Sequence, residues 1–147
     1  MKKKIYLLFI YIEKDLTLSV GSLGKILLKN GIYVYIGSGG KNVYKRIERH
    51  FKMRKRVRWH IDYITTTKQP FMAWIIEGGD VSEVSIANIL MDRYFYIPGF
   101  GASDSILNSH LFFLNSMEEV IMLKSYLSAL GYQIIIINKT YDPHKLN

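Results

Sequence analysis

Apolar positions recur along the chain with two periods, two and roughly three and a half, and the switches between them mark out strands and helices. Ile5 to Glu13 is β-branched and aromatic and predicts a first strand. Leu16 to Leu28 carries short apolar stretches broken by Gly21 and Gly24, which predicts strand, turn, strand. Asn30-Gly31 is a turn signal before a strand at Ile32 to Ile36. Alternation there puts Ile32, Val34 and Ile36 on one face, with Tyr33 and Tyr35 on the other. Gly37-Ser38-Gly39-Gly40 predicts a glycine-rich turn, and Asn42 can cap the helix that follows. Val43, Ile47 and Phe51 form the buried stripe of that helix, with Arg46 and His50 together on a neighbouring face.

Trp59 to Thr65 and Phe71 to Glu77 predict two more strands with Pro70 between them. Gly78-Gly79-Asp80 turns the chain into a helix from about Ser82 to Tyr94. Ile97 to Asp104 predicts a loop and Asn108 to Leu114 a strand. Ser116-Met117-Glu118-Glu119 fits a capping box for a helix bearing Val120, Leu123, Leu127 and Leu130, with Gly131 at its C′ position. Ile134 to Ile137 predicts a fully apolar strand covered on both faces. The sum is an α+β (mixed α/β) domain with a small central sheet flanked by helices. With 147 residues, 49% of them hydrophobic, one core and one domain are expected.

The chain has no cysteine, which excludes disulfides, thiolate metal sites and a cysteine nucleophile, and fits a reducing cytosol. Lys2, Lys3 and Lys4 before Ile5 to Ile12 imitate the start of a signal peptide. Glu13, Lys14 and Asp15 follow without a small-residue cleavage site, and the apolar run is too short to span a bilayer. A cytoplasmic protein with no membrane partner is expected.

The formal charge is +8, and its placement says more than its size. Between Lys41 and Arg58 stand nine basic residues (Lys41, Lys45, Arg46, Arg49, Lys52, Arg54, Lys55, Arg56, Arg58) and one acid, Glu48. That segment alone carries the whole net charge. Most charge runs are solvated helix faces; one of such uniform sign fits a phosphate backbone better. Trp59, Tyr44 and Phe51 interleave with it, and exposed aromatics there could stack on unpaired bases.

Tyr35-Ile36-Gly37-Ser38, a glycine turn, Arg46-x3-His50 on a helix, and a later helix opening with Glu83 together resemble the core of the GIY-YIG nuclease superfamily. Trp59-His60-Ile61-Asp62-Tyr63, the run Pro98 to Asp104, and Ser109-His110-Leu111-Phe112 resemble a functionally uncharacterised branch of it. That branch is common in archaea, and its members sometimes occur joined to a base-excision endonuclease. The resemblance covers about residues 5–114, with the helix and strand after that, about 115–147, read as an addition. It implies a metal-dependent endonuclease hydrolysing phosphodiester bonds in nucleic acid, with DNA and repair as the expected setting. A homodimer or a repair-protein partner is compatible with it. The resemblance implies Glu83 as ligand of one Mg²⁺ or Mn²⁺ ion, with Glu77 and Asp80 as backups, and Arg46 as phosphate clamp. It implies Tyr35 and the GIY tyrosine for water activation, and His50 for proton relay. In the superfamily the GIY and YIG tyrosines lie on adjacent strands, whereas the literal Gly31-Ile32-Tyr33 shares a strand with Tyr35. The branch pattern points to Tyr6, although Lys4 stands where a glycine is usual, and Tyr33 is its rival. His60, Asp62, Asp104 and His110 form a second set, with His60 and Asp62 expected on one strand face. A binding module that kept the fold and lost catalysis is the alternative.

Overall fold

The computed structural model describes residues 4–102 and 107–138. Its centre is β1 (Lys4–Ile12), whose burial pattern is apolar on both faces. Such a strand has to be internal. It pairs antiparallel with β4 (Gly31–Gly39) on one side and with β5 (Met72–Glu77) on the other. β7 (Leu111–Leu114) and the two-residue β6 (Phe95–Tyr96) extend the β4 side, and β8 (Gln133–Asn138) closes the β5 side. The order is β6-β7-β4-β1-β5-β8, all antiparallel. β2 (Leu16–Val20) and β3 (Gly24–Leu28) form a separate hairpin around a 3-10 turn at Gly21–Leu23. The architecture is α+β.

Alternation assigns each sheet face a core. Ile5, Leu7 and Phe9 of β1, with Val34, Ile36 and Trp74, pack against Ile86, Ala87 and Leu90 of α3 (Glu83–Arg93). Val120, Leu123 and Leu127 of α4 (Met117–Ala129) complete that layer. On the other face, Tyr6, Leu8, Ile10 and Tyr33 pack against α1 (Val43–Phe51), α2 (His60–Thr65) and the β2–β3 hairpin. The C-terminal helix and strand thus share the sheet and core of the preceding elements. α4 ends as expected at Gly131 (φ 95°): Gly131 N donates to Ser128 O and Tyr132 N to Leu127 O, the paired bonds of a Schellman motif.

Several expectations are corrected. The expected strand from Trp59 to Thr65 is instead helix α2, with Trp59 as its N-cap residue. Beside Asp62, its buried residues are Ile61, Ile64 and Thr65, a helical spacing of three and four. The strand through Tyr35 runs on to Gly39, so the glycine run ends a strand before it turns. Asn42 makes no side-chain cap bond to α1. Ser116 makes none to α4; the Glu119 carboxylate accepts instead from Asn115 N, at 2.7 Å. β8 is an edge strand with Ile135 and Ile136 exposed, so it is covered neither on both faces nor along its free edge. Among the described residues no helix is long and apolar enough to cross a membrane.

Candidate active site

β1 and β7 start, and β4 and β5 finish, at the same end of the sheet, and most of the sequence-derived candidates meet there. Tyr6 lies opposite Gly37 in the β1–β4 ladder, on the face that Tyr35 also shares. Glycine at 37 is a steric requirement: a Cβ there would fall 2.8 Å from Tyr6 Cε1 and closer still to Cζ and Oη. The phenol occupies that space and meets His50 Nε2 of α1 at 2.8 Å. Tyr33 lies four pairs from Gly37 in the same ladder, where its hydroxyl donates to Lys29 O at 2.9 Å and its ring meets Phe113 edge-on. It is remote from the His50 pair, so the geometry brings Tyr6 and Tyr35 together and leaves Tyr33 outside.

Tyr35 sits between the His50 and His110 rings, centroids 6.0 and 6.3 Å away. It lines a cleft of about 540 Å³ together with Glu83, His110, His60, Trp59 and Arg58. Tyr6 and His50 lie beneath this cleft, almost wholly buried. Burial raises both Tyr6 and Tyr35 well above the usual phenol range. For each phenol the Glu83 carboxylate adds to the rise and the Arg46 guanidinium pulls the other way. Burial, helped by the Lys55 ammonium, pulls His50 down to about 3, so the ring is neutral. Its Nδ1 is buried without a partner.

Arg46 is exposed and anchored: Nη1 donates to Ser38 O at 2.8 Å, holding the guanidinium over the end of β4. Glu83 opens α3 directly after the N-cap Ser82, where helix dipole and cap favour a carboxylate. Its Oε2 lies 3.4 Å from His110 Nδ1. Of the backups, Glu77 is paired with Lys4 at 3.2 Å and Asp80 is exposed in the preceding turn.

The second set divides. On a helix His60 and Asp62 point apart, and the shared face is not formed. Asp62 is fully buried and accepts from Arg49 Nη1 and Nη2, both at 2.9 Å, and from the N–H groups of Arg58 and Trp59. Burial alone would raise its carboxyl; these donors win and hold it below the usual range. His60 Nδ1 accepts from Gly101 N at 2.8 Å. His110 Nδ1 faces Ile36 O at 3.2 Å, and its Nε2 is buried with no partner. Asp104 lies outside the described residues.

The basic segment is not uniform either. Arg49 also donates to Arg56 O and lies 4.7 Å over the Trp59 ring, so it fastens α1 to α2 rather than facing solvent. Lys55 caps α1 by donating to Arg49 O and His50 O, and burial pulls it down to about 8. Lys52 pairs with Glu48 at 3.8 Å. Lys41, Lys45, Arg54, Arg56 and Arg58 are exposed along α1 and the segment after it, and Arg58 reaches the cleft. Tyr44 is exposed and Phe51 packs into the core.

Gly21, Ser22, Tyr63 and Gly101 also line the cleft, and sequence reasoning did not select them. Helical spacing between Trp59 and Tyr63, four apart, was the available signal for the tyrosine. Gly101 has φ 68° and approaches His110 and Tyr35 closely, a position suited to glycine. Neither the curated proteins nor the solved structures include a match to this chain. A family model described as "Domain of unknown function DUF123" matches residues 5–131, from β1 through α4, and the chain belongs to that family.

Proposed function

We propose that this protein is a metal-dependent endonuclease of the GIY-YIG type, hydrolysing phosphodiester bonds in DNA in a cytoplasmic repair role. The observation that carries this reading is the meeting of Tyr6, Tyr35, Arg46, His50 and Glu83 at one end of the sheet, with Gly37 clearing the space for Tyr6. Glu83 would hold the Mg²⁺ or Mn²⁺ ion. It is partly exposed on an open cleft, and among the described residues no group of three or more His, Asp and Glu converges to enclose an ion. One carboxylate suits a hard cation that keeps most of its waters and takes its remaining ligands from phosphate. When bound, such an ion offsets phosphate charge and acidifies a water.

The chain's own groups then divide the work. Arg46 uses one N–H on Ser38 O, which leaves donors for a phosphate oxygen. Tyr35 stands at the cleft wall to orient the attacking water. Tyr6 and His50 form a buried pair behind it, positioned to pass a proton between phenol and imidazole. Lys41, Lys45, Arg54, Arg56 and Arg58 give the strand a basic track towards the cleft. A homodimer or a repair-protein partner fits this role.

A second reading, a binding module without catalysis, is favoured by one observation: burial drives both phenols away from ionisation. The test is incubation of labelled single-stranded, duplex and branched DNA with Mg²⁺, Mn²⁺ or EDTA, beside Glu83→Ala and Arg46→Ala. Metal-dependent cleavage lost in both variants supports the nuclease. Salt-sensitive binding without product on any substrate supports the module.

A further inference from the structure

We infer that the cleft between Trp59 and His110 receives a single unpaired nucleobase, so that the substrate is nucleic acid with a base out of the stack. This rests on the nucleic-acid reading above and narrows it. The cleft's size, about 540 Å³, falls in the range of small-ligand sites and matches one nucleotide rather than a duplex.

Its walls are of two kinds. Trp59, Tyr63 and Tyr35 supply aromatic surface. Trp59 is 43% exposed, although Arg49, held by Asp62, lies over its ring and fixes its position. A rigid indole with open surface beside a basic track is what base stacking uses.

The two histidines supply an edge-reading pair whose tautomers follow from their partners. Gly101 N can only donate, so His60 Nδ1 is the acceptor and the neutral ring carries its proton on Nε2. Ile36 O and the Glu83 carboxylate, at 3.2 and 3.4 Å, can only accept, so His110 Nδ1 carries a proton, and a ring with that one proton presents Nε2 as an acceptor. That Nε2 is buried with no partner among the described residues, and His110 is 6% exposed. A buried acceptor left unmade is costly, and a ligand N–H at the cleft wall would satisfy it. One donor and one acceptor beside stacking surface match the Watson–Crick edge of a base, which pairing in a duplex occupies.

The test uses a duplex carrying a single 2-aminopurine bulge and the same duplex fully paired, both titrated with protein in EDTA. The inference expects about ten-fold or tighter binding to the bulged duplex, with 2-aminopurine fluorescence quenched as the base stacks. Trp59→Ala should abolish the preference and the quench while salt-dependent binding to paired duplex survives. Trp59→Phe, which keeps a ring, should restore part of both. Equal affinity for the two duplexes, or a preference intact in Trp59→Ala, overturns the inference. Cleavage is scored separately in Mg²⁺. Bulge preference without product in any metal would sink the nuclease and leave the base site standing. Product without bulge preference would do the reverse.

Discussion

Replacing Gly37 by alanine isolates the contact that brings Tyr6 to His50. Gly37 has an ordinary strand conformation, since it is absent from the positive-φ glycines, so the backbone has no objection to a side chain. On propensity alone the change would stabilise the strand by about 0.5–1 kcal/mol. The added Cβ, however, would overlap the Tyr6 ring, which is 3% exposed and tied to a buried histidine. Forcing an extra methyl into such a site costs about 1–3 kcal/mol. Displacing Tyr6 also breaks the Oη–Nε2 hydrogen bond, worth about 1 kcal/mol. The difference is a net loss of about 2 kcal/mol, or about 4–8 °C in Tm for a domain of this size. Urea unfolding followed by circular dichroism reads it directly. The double variant Gly37→Ala/Tyr6→Ala supplies the control, because removing the ring removes the clash and the two losses should add to less than their sum. A Gly37→Ala protein as stable as the parent, or strictly additive losses, would refute the steric account.

Three further outcomes follow from the same geometry. Asp62→Asn should cost about 3–5 kcal/mol, because an amide would turn N–H groups towards the donors of Arg49, Arg58 and Trp59. The lower end is expected, since Arg49 keeps 24% exposure and can be rehydrated; chemical denaturation measures it. His50, held down to about 3 when folded, binds its proton more readily when unfolded, so stability should fall as pH drops below about 6.5. His50→Gln should flatten that part of the profile, leaving the Asp62 contribution, which is present above about 4 and lost as pH falls below it. Lys45→Glu, Arg54→Glu and Arg56→Glu together should weaken DNA binding and make the slope of log affinity against log salt shallower. Arg49→Ala should instead appear chiefly as lost stability.

Local pattern carried most of the strands. β1, β4 and β5 are apolar enough to read as internal, and the hairpin around Gly21 and Gly24 was visible in its glycines. α2 was misread because Ile61, Tyr63, Ile64 and Thr65 favour strands individually. What decides it is Asp62 at the third helical position, accepting from Trp59 N, and its bond to Arg49 thirteen residues earlier. β8 was legible as a strand, while its place at the edge depends on the order of pairing, which no local spacing contains. The choice between Tyr6 and Tyr33 has the same character: both stand on apolar strands, and only the pairing of β1 with β4 shows that Tyr6 lies opposite Gly37 and meets His50.

The strand order has a consequence for how the chain acquires its fold. β1 is the first strand of the described residues to be synthesised, and it occupies the inside of the sheet. Its nine residues emerge with both edges bare until β4 arrives about twenty residues later, and the second edge waits for β5. Pairings so distant in sequence close slowly, and an apolar strand left waiting is prone to wrong partners. Among the described strands the sheet can thus grow outward from its oldest member, and β8, the last of them to be made, covers the free side of β5. A ribosome-bound intermediate stopped before α4 would still expose that side, so the interval of greatest need for a chaperone lies between the synthesis of β5 and that of β8.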